Sequence, residues 1–315
     1  MVNSVTIINN DTQETVDIKK DGTSCFVLDT IDWDTIDTEL SSYRVPYQIG
    51  EFYNGIILGT REPEITGYVI ADKKQISKAG ITWEQYYRLQ EESINGLKQQ
   101  LEKIVTLFSN LTIRANGYNL DCRLSQPIKY SMKEEENNEV TCYFTMYFKC
   151  FNPLFYLDST FVSLASIDGI FHFPMIIPQS EGIAFGEIQQ RASIEIENSG
   201  DVDTPCIIKI SAIGTVRNPR VYNVVTGEYM GFSGVTMSTG DIITINTNKG
   251  EENAIMHIQS QNRDISLIGN RIKGSKFFQI ARGKMSYAYE VNEEDVNNVE
   301  VSIEYRQQYI NLRGM

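Results

Sequence analysis

Two histidines and five cysteines are the residues of this chain whose types most often bind metals or carry out nucleophilic chemistry. His172 and His257 each stand alone, because no metal-ligating residues lie beside them at a suitable spacing. The cysteines form an odd set without a C-x-x-C pair, at Cys25, Cys122, Cys142, Cys150 and Cys206. We therefore expect buried free thiols, no metal and no cofactor.

The motifs of nucleophilic and phosphate chemistry are also missing. Residues 231–234 read Gly-Phe-Ser-Gly, but a nucleophile elbow needs glycine at the next position, where Val235 stands. Neither G-x-x-x-x-G-K-S/T nor G-x-G-x-x-G occurs. Asp32, Asp34 and Asp37 lack the central glycine and distal glutamate of a calcium loop. The paired carboxylates of a glycoside hydrolase meet in space rather than in sequence, and nothing positive points to them. The sequence predicts a protein that is not an enzyme.

Composition favours a folded, acidic, mostly β protein. The 315 residues include 41 acidic and 28 basic side chains, and the net charge of -13 disfavours contact with nucleic-acid phosphates. Thirty-nine isoleucines, 19 valines and 22 threonines stand against 10 alanines, and β-branched residues favour strands. No run approaches the ~18 apolar residues of a membrane-spanning helix, so we expect no membrane anchor. Residues 1–13 also lack the pattern of a signal peptide.

One long amphipathic helix is predicted among the strands of the first half. Thr82 and Gln85 have the spacing of a capping box, which marks a helix start. An apolar stripe follows and predicts packing on a sheet, at Ile94, Leu97, Leu101, Ile104, Val105 and Phe108. Asn116-Gly117 predicts a tight hairpin. A later strand over residues 142–151 is apolar on both faces, which predicts burial inside the protein or in an interface.

Prolines divide the chain into two predicted domains. Asn152-Pro153 ends the long strand, and Pro174 and Pro178 follow, so we place the boundary near residues 158–160. The second half contains seven or more short strands separated by turn signals, which predicts a β-sandwich. The predicted domains are residues 1–160 and 161–315.

The order of short motifs along the chain resembles the distal tail protein (Dit) family of long, non-contractile-tailed bacteriophages. In the first half these motifs are Leu111-Thr112-Ile113, Asn116-Gly117-Tyr118, Cys122-Arg123-Leu124, Pro127-Ile128-Lys129-Tyr130 and the run Cys-Phe-Asn-Pro-Leu-Phe at 150–155. In the second half they are Asn198-Ser199-Gly200-Asp201, Asn218-Pro219-Arg220, Thr226-Gly227-Glu228, Gly240-Asp241-Ile242, Asn248-Lys249-Gly250 and Val301-Ser302-Ile303-Glu304-Tyr305 with Tyr309. The resemblance covers nearly the whole chain, although residues 73–110 form a longer helix region than the family usually has.

The resemblance implies a structural hub rather than an enzyme. The N-terminal domain, a tail-tube-like β-sandwich or barrel with one long helix, would form a homohexameric ring. The C-terminal domain would be a galectin-like or carbohydrate-module-like β-sandwich that points outward. The ring would join the tail tube to the tail-tip lysin or fibre protein, alongside the tape-measure protein, and would carry receptor-binding proteins in some relatives. The protein would be made in the host cytoplasm and reside at the virion tail tip, without sequence-specific nucleic-acid binding.

Two acidic segments are candidates for contact with passing DNA or with a neighbouring subunit. Six acids and no base lie between Lys20 and Arg44. On one strand, Asp32 and Asp34 would share one face, and Asp29 and Asp37 the other. These rows either face solvent on the outside of the ring, or one of them faces its lumen. In the lumen, negatively charged walls would repel the DNA phosphates, so that the DNA slides through without binding. A second candidate for the lumen or for a subunit contact is a predicted hairpin tip, at Glu134, Glu135 and Glu136.

A different class of function stays open at this point. Isolated β-sandwiches with exposed aromatic residues also bind sugars, so the second domain is alternatively a carbohydrate-binding module that aids attachment to the host surface. Sugar binding by residues 161–315 alone would separate this alternative from a purely structural role.

Overall fold

The structure, a computed structural model, describes residues 2–33, 35–47, 49–71, 82–134, 140–168, 187–190 and 193–312. It contains two compact units. Unit 1 comprises Met1–Leu157 together with Ile310–Met315, and unit 2 comprises Asp158–Tyr309. The C-terminal residues therefore return to the first unit, which no pattern in the sequence indicates.

Unit 1 is built from strands and one helix. Its strands are β1 (Ser4–Asn9), β2 (Thr15–Lys19), β3 (Phe26–Asp32), β4 (Thr38–Tyr43), β5 (Phe52–Leu58), β6 (Glu64–Ile70), β7 (Leu111–Ala115), β8 (Tyr118–Leu124), β9 (Lys129–Glu134), β10 (Val140–Lys149) and β11 (Phe155–Tyr156). The helix α1 (Trp83–Ile104) lies between β6 and β7 in the chain. The mostly β class with one long helix is confirmed.

The main sheet of unit 1 closes on itself. Neighbouring strands follow the order β8-β7-β1-β2-β3-β6-β10, and β10 also pairs with β8, which completes a barrel. Two more strands pair with the barrel without being needed to close it. Strand β9 pairs with β10, and β11 pairs with β8. Buried residues alternate along the strands, as in β6 and β10, because alternate side chains point into the barrel.

The helix begins where the sequence predicts. The Thr82 side chain accepts a hydrogen bond from the Gln85 backbone N–H, and the Gln85 side chain accepts one from the Thr82 N–H, so the capping box is complete. Ile94, Leu101 and Ile104 are buried. The predicted stripe is wrong at its last residue: α1 ends at Ile104, and the Phe108 side chain, beyond the end, is exposed.

The hairpin predicted at Asn116-Gly117 joins β7 to β8. Both residues have positive φ, 50° and 82°, as a two-residue type I′ turn requires. The predicted hairpin between β9 and β10 also forms, with Val140 opposite Glu134.

The backbones of β6 and β3 come close together at Gly67. A Cβ atom added to Gly67 would lie 2.3 Å from the Val27 carbonyl oxygen.

The long strand β10 is buried on one face only. Cys142, Phe144, Met146, Phe148 and Cys150 line the interior. On the outer face, Lys133 lies 4.8 Å from the ring centroid of Tyr143, and Lys129 lies 4.9 Å from that of Tyr147. Lysines therefore cover these rings, and the face is partly shielded and positively charged rather than open apolar surface.

Unit 2 consists of strands and short 3₁₀ turns. Its strands are β12 (Thr160–Asp168), β13 (Glu187–Gln190), β14 (Ile194–Asn198), β15 (Cys206–Ala212), β16 (Val216–Arg217), β17 (Arg220–Asn223), β18 (Tyr229–Gly231), β19 (Thr236–Met237), β20 (Ile242–Asn246), β21 (Asn253–Ile258), β22 (Arg263–Ser266), β23 (Gly283–Glu290), β24 (Val299–Tyr305) and β25 (Gln308–Tyr309). The 3₁₀ turns are Gln259–Gln261, Ile268–Asn270 and Glu293–Asn298.

Two sheets of unit 2 share one hydrophobic core. One sheet has the order β13-β12-β24-β15-β20-β21-β22, and the other has the order β14-β23-β17-β18. Ile208 and Ile303 of the first sheet and Val221 and Tyr287 of the second belong to the same buried cluster. This arrangement is a β-sandwich, as the spacing of strands and turns predicts.

In the described part of the chain, no helix combines the length and the apolar character needed to cross a membrane.

Candidate assembly surface

A two-stranded ribbon is the least covered element of unit 1. We call residues 38–58 the arm: it comprises β4, β5 and the turn between them. Thr38 pairs with Leu58 at its base and Tyr43 with Phe52 near its tip. Among the described residues, β4 and β5 hydrogen-bond as strands only to each other. An isolated two-stranded hairpin is marginally stable in water, so the arm needs further contacts.

The arm carries most of the large exposed apolar side chains of unit 1. These are Leu40, Tyr43, Val45, Tyr47, Ile49, Phe52, Tyr53, Ile56 and Ile57, with exposures from 43% to 108%. At ~200 Å² for a side chain of this size, they present on the order of 1,000 Å² of apolar surface. Monomeric soluble proteins rarely expose so much apolar surface on one element, and such exposure is typical of an interaction site.

Both faces of the arm are apolar. Leu40 and Ile56 are direct neighbours across the ribbon and lie on one face. Tyr43 and Phe52 lie on the other face, and their rings stack with centroids 5.4 Å apart. A partner that covered a single face would leave the other in water, so the arm fits insertion between two surfaces better than contact with one.

Polar contacts hold the arm in shape at its two ends. At the base, the Gly59 N–H donates to the Asp37 carbonyl oxygen over 2.7 Å. Near the tip, Arg44 donates to Glu51 over 2.6 Å, and the Ser42 hydroxyl also donates to that carboxylate. The hydrogen bond from Ser42 and then the one from Arg44 lower the pKa of Glu51 below its usual value, because both favour the carboxylate.

The structure separates the candidate acids of the first segment. Asp29 lies at a bulge in β3, where the register with β6 shifts, and its side chain is exposed. Asp32 is exposed and ends β3 opposite Glu64, whereas Asp37 precedes the arm. Asp34 lies outside the described residues. Because β3 ends at Asp32 and β4 begins at Thr38, the expectation that these acids line two faces of one strand is wrong.

The second acidic segment is described only in part. Glu134 ends β9, where its backbone pairs with Val140. Glu135 and Glu136 lie outside the described residues, so the role of this segment stays a prediction.

The remaining candidates for chemistry are not brought together. His257 lies on β21 opposite Asp264 of the edge strand β22, with Nδ1 2.7 Å from the Asp264 carboxylate, and His172 lies outside the described residues. Ser233 follows strand β18 in a turn, rather than standing between a strand and a helix. Within the described ranges, no three residues of the His, Cys, Asp and Glu types form a group able to hold a metal ion. All five cysteines carry free thiols.

Comparison with known proteins finds similarity to one family of phage tail proteins. Residues 199–309 match the family model described as siphovirus-type tail component, C-terminal domain. The fold over 96% of the chain matches 98% of the SPP1 Dit protein (gp 19.1), described as a paradigm of hub adsorption apparatus in Gram-positive infecting phages, with TM-score 0.60 and 11% identity. Residues 199–309 therefore match the C-terminal domain of the siphovirus-type tail component (Dit) family, and the fold of the chain is similar to that of SPP1 Dit. This confirms the resemblance found in the order of the sequence motifs.

More distant similarity extends to a chain from the phage P2 baseplate in its activated conformation with Ca. That match covers 96% of this chain and 98% of the other, with 11% identity and a TM-score of 0.44. No curated protein matches the chain by sequence.

Sequence reasoning missed the arm. The signal that was present is the run of apolar residues over 40–57 with few charges and no helical period. It was ambiguous because a ribbon exposed on both faces has the same apolar composition as a buried strand.

Proposed function

We propose that this protein is the structural hub of a long, non-contractile phage tail tip, without catalytic activity. Unit 1 forms a homohexameric ring that joins the tail tube to the tail-tip lysin or fibre protein, and DNA passes through its lumen. Unit 2 points outward and carries receptor-binding proteins where the phage has them. The tape-measure protein is a further neighbour during assembly. The match of residues 199–309 to the tail-component family model and the likeness of the fold to SPP1 Dit support this role.

The observation that carries the ring is the exposed arm. Its apolar surface, on the order of 1,000 Å², equals or exceeds the ~800 Å² that each partner contributes to a standard interface. An exposed element that packs on a different surface of the next copy makes a head-to-tail contact, and such contacts form a ring when the rotation between neighbouring copies closes. We therefore assign the arm to contact between copies of unit 1.

The test removes apolar surface from one face of the arm. In the double variant Leu40→Ser with Ile56→Ser, both changes are exposed, so the fold of unit 1 is retained. The loss of two large apolar contacts costs about 2–3 kcal/mol per interface, which raises the concentration for assembly roughly 30- to 150-fold. Light scattering across a concentration series should show wild-type chains growing toward six copies while the variant stays monomeric.

The matched control is Phe161→Ser, which removes a side chain that is 67% exposed in unit 2. This control should assemble like the wild type. The arm assignment is wrong if the arm variant and the control assemble alike. A wild-type chain that stays monomeric at every concentration, together with a tail-tip ring of another order, contradicts the hexamer itself.

The acids near β3 are proposed to face the lumen. Asp29, Asp32 and Asp37 are exposed, as a role in lining a DNA channel requires. The phage carrying Asp32→Lys with Asp34→Lys should assemble and adsorb normally but eject DNA more slowly, and most slowly at low salt. A phage with Glu251→Lys, an exposed acid in a turn of unit 2, is the control. Equal ejection kinetics in the two phages would contradict the lumen position.

The carbohydrate-binding alternative stays a prediction for unit 2. In the described ranges of that unit, the large aromatic side chain exposed above one third is Phe161. A single exposed ring does not make a sugar platform, so no observation favours this alternative over the structural role. Binding of unit 2 to a glycan array would reopen it.

A further inference from the structure

We propose that Cys122 and Cys150 form an oxidisable pair, which a small peroxide converts into a disulfide between the neighbouring strands β8 and β10 of unit 1. The strand register brings them together. Where β8 and β10 pair, Leu124 lies opposite Phe148 and Arg123 lies opposite Lys149. One step further along the same antiparallel register, Cys122 comes opposite Cys150.

The backbone hydrogen bonds of Cys150 show whether it faces β8 at a hydrogen-bonded or a non-hydrogen-bonded position of the antiparallel sheet. The Cys150 N–H donates to the Arg61 carbonyl over 2.8 Å, and its carbonyl accepts from the Arg61 N–H over 3.2 Å. Both backbone groups of Cys150 therefore point away from β8. Toward β8 it occupies a non-hydrogen-bonded position, where opposed Cα atoms lie about 4.5 Å apart. That separation falls within the range of about 4.4–6.8 Å that disulfides span.

The two side chains point into the same interior. Cys122 is 5% exposed and Cys150 is fully buried, and the alternation along both strands places them on the inner face. The thiols also influence each other. Burial first, and then the hydrogen bond and charge of the Cys150 thiol, raise the pKa of Cys122 well above its ordinary value. This direction agrees with the strand register, which carries the pairing.

The oxidation needs only the two thiols and hydrogen peroxide as the oxidant. One thiol, as its thiolate, attacks a peroxide oxygen, the O–O bond breaks, and one oxygen leaves as water after taking up a proton. The resulting sulfenic acid is attacked by the second thiolate, the S–S bond forms, and a second water leaves. Two thiols together lose two electrons and two protons, and hydrogen peroxide becomes two molecules of water.

The position of Cys150 gives the peroxide a route to the pair. It directly follows the last residue of β10, and the next residue, Phe151, is 68% exposed. Strand ends open more readily than strand interiors, so the pair becomes accessible without global unfolding. The raised pKa of Cys122 keeps its thiol protonated, so the reaction is slow at neutral pH and should be run at mildly alkaline pH.

The experiment uses the purified full chain in its native state. The protein is treated with hydrogen peroxide, its remaining thiols are alkylated after denaturation, and the peptides are mapped by mass spectrometry. We expect a linked peptide pair containing Cys122 and Cys150, two alkylated thiols fewer, and full recovery after reduction. Cys150→Ser should abolish the link, whereas Cys206→Ala, which changes a solitary buried thiol of unit 2, should leave it intact.

Thermal unfolding provides a readout that needs no variant. Both tryptophans of the chain, Trp33 and Trp83, lie in unit 1, so their fluorescence reports that unit. A disulfide that closes a loop of this length should raise its unfolding midpoint by roughly 5–10 °C, and reduction should reverse the rise. Oxidation of the two cysteines to separate sulfinic acids, or a link between other cysteines, would overturn the pairing.

Discussion

Two glycines of unit 1, Gly67 and Gly96, should have opposite effects on stability when each is replaced by alanine. Gly67 lies in β6 between β3 and β10. A Cβ atom there would lie 2.3 Å from the Val27 carbonyl oxygen and 2.6 Å from the Phe144 ring. The first contact is with backbone in the adjacent strand, so relief requires the strands themselves to separate.

We expect Gly67→Ala to lower the free energy of unfolding of unit 1 by about 3 kcal/mol, the upper part of the range for overpacked cores. For a unit of this size, that corresponds to a midpoint shift of roughly 6–12 °C. Gly96→Ala is the matched control, because Gly96 lies in the interior of α1 and a Cβ atom there would meet nothing within 4 Å. This change should stabilise the unit by about 0.5–1 kcal/mol, since alanine loses less conformational entropy in a helix.

Tryptophan fluorescence during denaturation is the assay, because both tryptophans lie in unit 1. Far-UV circular dichroism follows the whole chain and should show the transition of unit 2 unchanged. A third variant adds Phe144→Leu to Gly67→Ala. It removes the ring contact but leaves the carbonyl contact, so it should not restore the lost stability. The reasoning is refuted if Gly67→Ala changes stability by less than about 0.5 kcal/mol, the usual size for surface substitutions.

Three further predictions concern buried side chains. Leu101→Asp should cost unit 1 about 4 kcal/mol in denaturant unfolding, because it buries a charge without a partner, whereas the exposed Gln100→Asp should cost about 0.5 kcal/mol. Asn9→Ala should cost about 2 kcal/mol in the same assay, because the buried Asn9 amide donates to the Ile104 carbonyl over 2.8 Å and accepts two backbone N–H groups. Unit 2 should lose stability between about pH 9 and 12. Burial raises the pKa of Cys206 to about 12 and that of Tyr287 to about 12, so the unfolded chain releases these protons first and stability falls as pH rises. Tyr287→Phe should reduce the loss above about pH 10 in alkaline unfolding followed by circular dichroism; an unchanged pH profile would contradict the assignment.

Local chemistry determined several elements of this protein from the sequence by itself. The capping box fixes the start of α1, because Thr82 and Gln85 satisfy backbone groups within the same turn. Asn116 and Gly117 fix the hairpin between β7 and β8, because both tolerate positive φ. The strand Val299–Tyr305 agrees residue for residue with its alternating pattern. The order of such local signals was sufficient to show the resemblance to the Dit family that the comparisons support.

Contacts between distant residues decided the rest. The end of α1 at Ile104 depends on Asn9, which binds its last carbonyl from 95 residues away, so the apolar Phe108 lies outside the stripe. Closure of the barrel through β8 and β10 aligns Cys122 with Cys150, a register that no spacing in the sequence encodes. The arm is exposed because its strands pair with each other and not with the barrel. Apolar composition alone does not distinguish a strand that its own chain covers from one that stays exposed, and this difference is decided by tertiary structure.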